Sequence, residues 1–195
     1  MRLVERPLAA AALLAAEPHE DERGFFARAF CREELARLGF DCPIAQANHS
    51  FSAKARTLRG LHLQVGRAAE TKLVQCVAGA IFDVIVDVRP GSRTLGRWRG
   101  MELSEANRRL LVVPPGFAHG FLTLTDRTLV TYMVTAAYDP GLDRGVAFDD
   151  PALAIDWPMQ PLVVSARDRS HPPFDPERLW RAAPEAALQT AGEPA

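Results

Sequence analysis

The sequence predicts an all-β sandwich or barrel, and three observations support this. Short apolar and β-branched segments recur at close spacing through the centre of the chain, separated by Gly, Pro and Asp turns. The βαβ rhythm and the glycine-rich phosphate loop of a Rossmann-type domain are both missing from the sequence. The 195 residues fit one domain at roughly 100–200 residues per domain, and 48% of them are hydrophobic, enough for a sizeable core.

Composition and charge exclude several classes of protein. Lys and Arg total 23 and Asp and Glu total 24, so the net charge of −1 argues against a nucleic-acid partner and against a disordered chain. The cysteines Cys31, Cys42 and Cys76 form no CxxC pair, which favours reduced thiols and a cytoplasmic location. No apolar run approaches the ~18 residues of a membrane span, so we expect no membrane partner.

The N-terminal part of the chain is expected to hold strands and one short helix. The apolar run at residues 8–16, with Arg2 and Arg6 before it, resembles a short signal peptide. Pro7 at its head and the charged stretch after it favour a strand of the domain instead. The next expected elements are a strand at 24–30, a helix at 31–39 and extended segments at 44–50 and 57–64.

The centre of the chain is predicted to be almost entirely β. Tight turns and loops bound each apolar segment, as in a meander of antiparallel strands. We expect one domain over residues 1–180, and an Ala/Pro-rich tail over 181–195 that frays as a helix or stays disordered. The expected central strands lie at 72–77, 80–88, 97–103, 110–113, 121–124 and 128–135, with a turn at 104–107.

Ionisable side chains fall on strand faces where a small barrel should be apolar. Because side chains alternate along a strand, His62 and Gln64 share one face, opposite the apolar residues of their strand. Lys72 shares a face with apolar neighbours, and Asp83 and Asp87 lie opposite the large apolar residues of the strand at 80–88. One face of each strand must be buried, and a buried charge is costly unless it is paired or functional.

Each of these residues also has an ordinary structural explanation. A lone histidine on a strand, such as His62, is more often structural than catalytic, Lys72 fits a solvated edge, and Asp87 fits a turn at a strand end. His119 follows a Pro-Pro-Gly loop and is expected at the entry to a strand, where functional sites are common. The other histidines are expected in solvent or in a loop: His19, His49 and His171.

A metal-dependent enzyme is one alternative for a barrel that contains histidines. Such a site typically needs a His-x-His pair, a nearby Glu and a distal His. Position 64 is Gln64, and no Glu lies between Glu70 and Glu102, so His62 and His119 alone make no three-ligand site. We therefore expect neither a catalytic metal nor another cofactor.

Several motifs at consistent spacing resemble those of the dTDP-4-dehydrorhamnose 3,5-epimerase family. They extend over roughly residues 15–175, and their number makes the resemblance far more specific than any one short pattern. The motifs are DERGFF at 21–26, NHS at 48–50, RGLHLQ at 59–64, KLV at 72–74, GAIFDVIVDVRPGS at 79–92, ELSEANRR at 102–109, PGFAHGF at 115–121, DDP at 149–151, DWP at 156–158 and SARD at 165–168.

The resemblance implies a fold, a substrate and an assembly. The implied fold is all-β, a cupin-type jelly-roll barrel with a few short helices and no metal. The implied assembly is a homodimer with strands exchanged between subunits. The implied substrate is a nucleotide-linked 4-keto-6-deoxyhexose, whose C3 and C5 are inverted through an enolate in deoxysugar biosynthesis for cell-surface polysaccharide.

The resemblance also assigns roles by position. His62 matches the general base, Tyr132 the general acid, Lys72 the residue near the ketone oxygen, and Asp168 the carboxylate that pairs with the base. These residue types suit the chemistry, because histidine titrates near neutral pH and a cation in a dry barrel stabilises an enolate. The residues expected to bind substrate are Arg23, Phe26, Gln46, Asn48, Arg59, Asp83, His119, Tyr138, Asp143 and Arg167.

Four positions depart from the family pattern. Arg28 stands where the family often has Glu, Ala47 where it often has Asp, Leu63 where it often has an aromatic residue, and Arg167 where it has Lys. None of them removes the matched base, acid or ketone-stabilising residue. The alternatives are an epimerase that acts at C3 or C5 only, and a non-catalytic sugar-nucleotide-binding module, which would not require both a base and an acid.

Overall fold

The computed structural model describes residues 1–181, and β-strands dominate this part of the chain. All but one residue of the predicted tail at 181–195 lie outside it. The strands are β1 (Arg2–Glu5), β2 (Ala12–Ala15), β3 (His19–Asp21), β4 (Gly24–Phe26), β5 (Gln46–Ser52), β6 (Thr57–Gln64), β7 (Lys72–Ala78), β8 (Ala80–Asp87), β9 (Trp98–Ser104), β10 (Arg109–Val113), β11 (Phe117–Thr123), β12 (Thr128–Val134), β13 (Asp143–Gly145) and β14 (Val163–Val164). The helices are α1 (Arg32–Arg37), α2 (Ala166–Arg169) and α3 (Pro176–Trp180), and a 3₁₀ turn covers Gly66–Ala68.

Two antiparallel sheets form the barrel. The first has the strand order β1-β2-β10-β7-β12-β5, and the second has the order β13-β6-β11-β8-β9 with β14 added in parallel beside β6. Strands β3 and β4 pair only with each other and make a separate hairpin. The two sheets face each other across a shared apolar core, which is the jelly-roll arrangement expected of this sequence.

Apolar side chains are buried on both faces of the central strands, so the simple alternation of buried and exposed residues fails there. Between the sheets, Leu111 of β10 packs in one cluster with Ile85 of β8. Behind the first sheet, Leu110 packs in a second cluster with Leu35 of α1. Behind the second sheet, Val84 packs in a third cluster that contains residues of the C-terminal segment. The face of each strand that points toward the other sheet also carries the ionisable residues. Asp83, for example, lies on the same face of β8 as Ile85.

The structure corrects the bounds of several predicted elements. The strand expected at 24–30 covers only Gly24–Phe26, and the helix expected at 31–39 covers Arg32–Arg37. The strand expected at 121–124 begins four residues earlier, because Gly116 takes a φ of +82° and turns the chain directly after the proline pair. His119 consequently lies inside β11 rather than at its entry.

The N-terminal apolar run forms part of the first sheet. Residues Ala12–Ala15 form β2, which pairs with β1 on one side and with β10 on the other. The interpretation of this run as a strand is therefore confirmed. Within residues 1–181, no helix has the length and apolar character needed to cross a membrane.

Candidate active site

A cleft between the two sheets gathers most of the predicted site residues. It consists of two adjoining lobes of about 440 Å³ each, and both lobes are lined by His62, Lys72, Tyr132 and Arg167. One lobe is further lined by Arg59, His119 and Asp168, and the other by Gln46, Asn48, Tyr138 and Asp143.

Strand register sets the two walls of the cleft. On the second sheet, His62 of β6 lies directly opposite His119 of β11. On the first sheet, Tyr132 of β12 lies opposite Asn48 of β5, and Lys72 of β7 pairs with the next inward-facing position of β12. The cleft therefore has an imidazole wall and, facing it, a wall that carries a phenol and an ammonium group.

His62 is held by a carboxylate from the far end of the chain. Its Nε2 lies 2.8 Å from Oδ1 of Asp168 on helix α2. The Ser165 hydroxyl caps this helix by accepting the Asp168 backbone N–H at 3.0 Å, and the Gly60 N–H donates to Asp168 Oδ2 at 3.4 Å. Burial alone would raise the pKa of Asp168, but the hydrogen bonds and charge of His62 outweigh it and lower the pKa. The carboxylate is therefore ionised at neutral pH.

His171 lies in a loop, as expected, but the sequence did not reveal that its side chain packs against the base site. The residue does follow α2 in a loop, but its side chain is only 10% exposed, and its ring meets the His62 ring edge-on at 5.2 Å between centroids. Burial and the charge of His62 lower the pKa of His171. His62, Asp168 and His171 bring three possible metal-ligand atoms within 4.8 Å of one another. Of these three residues, the sequence identified only the first two as site residues.

Lys72 has a partner that the sequence did not reveal. Glu70 is almost fully buried, pairs with the Lys72 ammonium, and accepts a hydrogen bond from Gln64 Nε2 at 3.1 Å. The Gln64 side-chain oxygen accepts the Asp139 N–H at 2.7 Å, which fixes the amide orientation. Lys72 is therefore not a solvated edge residue, and Glu70 belongs to the cleft.

His119, in the same wall as His62, forms a pair with the buried Asp83. His119 Nε2 lies 2.9 Å and 3.0 Å from the two oxygens of Asp83, which is completely inaccessible to solvent. Burial raises the pKa of Asp83, although the charge and hydrogen bond of His119 oppose this. Asp83 thus orients His119 and lies too deep to line the cleft. Asp87 has the predicted structural role at a strand end, because it accepts hydrogen bonds from Arg89, Ser92 and Thr94.

Tyr132 is half-buried on the first sheet, between the two lobes of the cleft. Burial, together with the negative charge of Glu70, raises the pKa of its phenol. The hydroxyl therefore keeps its proton at neutral and mildly alkaline pH, which is the state required of a proton donor.

Polar side chains form the mouth of the cleft. The Tyr138 hydroxyl donates to Asp143 Oδ2 at 3.0 Å, and Asp143 also pairs with Arg167. The Tyr138 backbone N–H donates to Gln46 Oε1 at 2.6 Å. Arg59 is exposed and donates to the Phe51 carbonyl at 3.0 Å. These contacts leave two arginine side chains at the entrance, Arg59 from strand β6 and Arg167 from helix α2.

Arg23 and Phe26 do not line the cleft formed by this chain. Both lie on the β3–β4 hairpin, where the Phe26 side chain is 70% exposed and Arg23 pairs with the neighbouring Asp21. The hairpin is fastened to the barrel through Arg108, whose guanidinium lies 4.1 Å from the centre of the Phe25 ring.

Two of the four departures from the family pattern, Ala47 and Arg28, lie away from the cleft, whereas Leu63 and Arg167 border it. Ala47 is exposed on β5, whose neighbouring residues face the cleft, so its side chain points to the outside of the barrel. Leu63 is buried in the cluster behind the second sheet, and Arg28 pairs with Glu34 beside the hairpin. Arg167 alone occupies the cleft mouth.

The chain is similar in sequence and in structure to known proteins. A family model described as dTDP-4-dehydrorhamnose 3,5-epimerase matches residues 5–176. A relative with that name from Sinorhizobium fredii is 48% identical over 153 residues, which are 78% of this chain and 78% of the relative. The crystal structure of a Bacillus anthracis protein with the same name, with TDP and PPi bound, has a TM-score of 0.87 at 44% identity, covering 89% of this chain and 99% of that one.

Two further solved structures carry nucleotide sugars. A 3,5-epimerase from Legionella pneumophila in complex with dTDP-4-keto-L-rhamnose has a TM-score of 0.86 at 35% identity, covering 95% of this chain and 99% of that one. A 3′-monoepimerase from Streptomyces bikiniensis in complex with dTDP-quinovose has a TM-score of 0.80 at 34% identity, with 87% of each chain covered. On the family match and these identities, the chain belongs to the dTDP-4-dehydrorhamnose 3,5-epimerase family, whose members are isomerases with a cupin-type jelly-roll fold.

Proposed function

We propose that this chain inverts C3 and C5 of dTDP-4-dehydro-6-deoxyglucose, giving dTDP-4-dehydrorhamnose, with His62 as base and Tyr132 as acid. The observation that carries this assignment is that the two side chains line one cleft from opposite sheets. Inversion at a carbon removes a proton from one face of the sugar ring and returns a proton to the other face. A base and an acid on facing walls meet that requirement.

The proposed base is the ring nitrogen of His62 that does not contact Asp168. Because the carboxylate accepts from Nε2–H, the tautomer that carries the lone pair on Nδ1 is favoured. Nδ1 then takes the proton from the carbon next to the ketone. The charge of Asp168 stabilises the imidazolium that forms, so this residue acts on the base rather than on the sugar.

Lys72 is proposed to stabilise the enolate oxygen. Removal of the α-proton places negative charge on the ketone oxygen, and a fixed cation in a site with little water lowers the energy of that state. Glu70 holds the Lys72 side chain in place inside the barrel, where that side chain is 13% exposed. The positive group is therefore positioned before the reaction begins.

Tyr132 is proposed to return the proton on the opposite face. Its raised pKa keeps the phenol protonated, and its position between the two lobes leaves it within the same cleft as His62. When the cycle repeats at the second carbon, the same pair of groups serves again, because both reacting carbons adjoin the one ketone.

The nucleotide is proposed to lie at the cleft mouth, with arginine side chains binding the diphosphate. Guanidinium groups form charge-assisted and often bidentate hydrogen bonds with phosphate. Arg59 and Arg167 border the cleft in this chain. The TDP and pyrophosphate in the Bacillus anthracis structure support a thymidine nucleotide as the carrier of the sugar.

A homodimer is proposed to bring Arg23 and Phe26 to the nucleotide of the partner subunit. The β3–β4 hairpin stands apart from both sheets and exposes two phenylalanines, which is costly in water unless another surface covers them. Mixing His62→Ala with Arg23→Ala subunits tests the exchange. Restored activity in the mixture is expected, and no restoration would mean that each hairpin serves its own chain. The three free cysteines fit the proposed cytoplasmic location.

Solvent exchange tests the reaction itself. The protein is incubated with dTDP-4-dehydro-6-deoxyglucose in D₂O, and NMR counts the deuterons that enter C3 and C5. The proposal predicts deuterium at both carbons and the rhamno product. Deuterium at one carbon would identify a mono-epimerase, as the Streptomyces bikiniensis structure allows. Binding without exchange would identify a non-catalytic binding module, and loss of activity in chelator would identify a metal-dependent enzyme.

A further inference from the structure

The side chain of His171 is built into the base site although no step of the proposed reaction uses it. Its Nε2 is buried and makes no hydrogen bond to any of residues 1–181, and it lies 3.5 Å from Asp168 Oδ1. The ring fits only because residue 145 is glycine, since a Cβ at Gly145 would collide with the His171 ring. A buried ring nitrogen that makes no hydrogen bond lowers the stability of the folded protein, unless a bound ligand takes the place of the missing partner.

We propose that His62 Nε2, the Asp168 carboxylate and His171 Nε2 form a binding site for zinc, and that zinc bound there blocks the epimerase. The proposal rests on the proposed function only for its second half, because binding of the metal requires no assumption about the reaction.

The distances suit a tetrahedral metal. His62 Nε2 and His171 Nε2 lie 2.8 Å and 3.5 Å from Asp168 Oδ1, and all three ligand atoms lie within 4.8 Å of one another. Bonds of 2.0–2.2 Å at tetrahedral angles separate neighbouring ligand atoms by about 3.3 Å. Modest rotation of the two rings brings the three atoms to that spacing.

The donor set favours zinc over magnesium or calcium. Two imidazoles and one carboxylate are typical ligands of zinc and of other late first-row metals, whereas magnesium and calcium prefer oxygen alone. The site has an entry path, because the His62 side chain is 33% exposed to the cleft. Three protein ligands leave a fourth position for water from the cleft.

Metal binding at Nε2 would remove the base. Zinc takes the lone pair of that nitrogen, so the ring proton must reside on Nδ1, the atom that otherwise accepts the sugar proton. It also separates the imidazole from the Asp168 charge. Zinc in the site should therefore stop proton abstraction at C3 and at C5 together.

The test measures metal binding apart from activity. Protein freed of metal by chelator is titrated with Zn²⁺ against a chromogenic zinc indicator, and with Co²⁺, whose visible absorption reports tetrahedral coordination. One zinc per chain and a tetrahedral Co²⁺ spectrum are expected. His171→Ala should weaken zinc binding at least about tenfold. The matched control is His49→Ala, which removes an exposed histidine on β5.

The outcomes separate the two halves. Zinc affinity that is equal in the wild type, His171→Ala and His49→Ala would overturn the site, and a His171→Asn variant repeats the comparison if the alanine variant fails to fold. Inhibition that appears with the Co²⁺ spectrum and is reversed by EDTA supports the full proposal. Stoichiometric binding without inhibition would keep the site and contradict the assignment of His62 as base.

Discussion

Replacing Asp168 with asparagine tests the base assembly most directly. The Asp168→Asn variant keeps the size of the side chain and an oxygen that can accept from His62 Nε2, so the change removes mainly the negative charge. The Ser165 cap acts on the backbone of this residue and remains in place. The variant should therefore fold, and its loss of rate should report the electrostatic contribution of the carboxylate to the imidazolium.

The geometry sets the size of that loss. At the observed 2.8 Å, opposite unit charges attract by about 6 kcal/mol at an effective dielectric constant of about 20, and by about 1.5 kcal/mol in bulk water. The His62 side chain is partly exposed and that of Asp168 is buried, so a value of about 3–4 kcal/mol is expected. At about 1.4 kcal/mol for each factor of ten, kcat should fall by a few hundredfold.

The assay follows deuterium entry at C3 and C5 by NMR under saturating substrate. Asp149→Asn, which changes a carboxylate outside the cleft, serves as the control for loss of one negative charge. A folded Asp168→Asn variant with more than a third of the wild-type kcat would refute the reasoning, because the carboxylate would then contribute almost nothing to the imidazolium.

Three further predictions follow from the same contacts. Tyr132→Phe should form the rhamno product at least about a hundredfold more slowly than the wild type, while slower exchange continues at the carbon that loses its proton. Because the pKa of Tyr132 is raised, any alkaline fall in the wild-type rate that is due to this group should lie above about pH 10. Glu70→Gln should lower kcat with little change in folding, because Lys72 loses its buried partner, and steady-state kinetics with circular dichroism would check both. His119→Ala should lower the free energy of unfolding by about 3 kcal/mol at pH 7, since it leaves the buried Asp83 carboxylate without the imidazole that binds it. That loss should shrink as the pH falls below 7, because the raised pKa of Asp83 lets a proton neutralise its carboxylate, and denaturant titrations at pH 7 and at lower pH values would measure the difference.

The alternation of side chains along single strands grouped the ionisable residues on one face, but it could not show which face is interior, because apolar residues are buried on both faces. His62 and Lys72 face the cleft, whereas Leu61 and Leu73 pack in the clusters behind the two sheets. Strand ends were harder to predict. Phe30 made residues 24–30 resemble one long strand, but its ring packs near α1, where tertiary contact rather than sheet pairing satisfies an apolar residue.

The partners within the site could not be derived from local sequence. Asp168 meets His62 across 106 residues, and only the resemblance to a family suggested the pair. Glu70 and His171 have no local signal at all, because one follows two alanines and the other precedes two prolines in an irregular segment. Their importance arises from burial beside Lys72 and Asp168, a property of the folded chain alone.

The four-residue helix that carries Asp168 is synthesised after every strand of the first sheet. Every strand of the first sheet has left the ribosome once Val134 has emerged, and the wall that carries Tyr132 and Lys72 can then form. The His62 imidazole still lacks its carboxylate at that stage, because Asp168 is made more than thirty residues later. If Asp168 supports the base as proposed, full activity requires α2 to dock beside β6 after the first sheet has been synthesised.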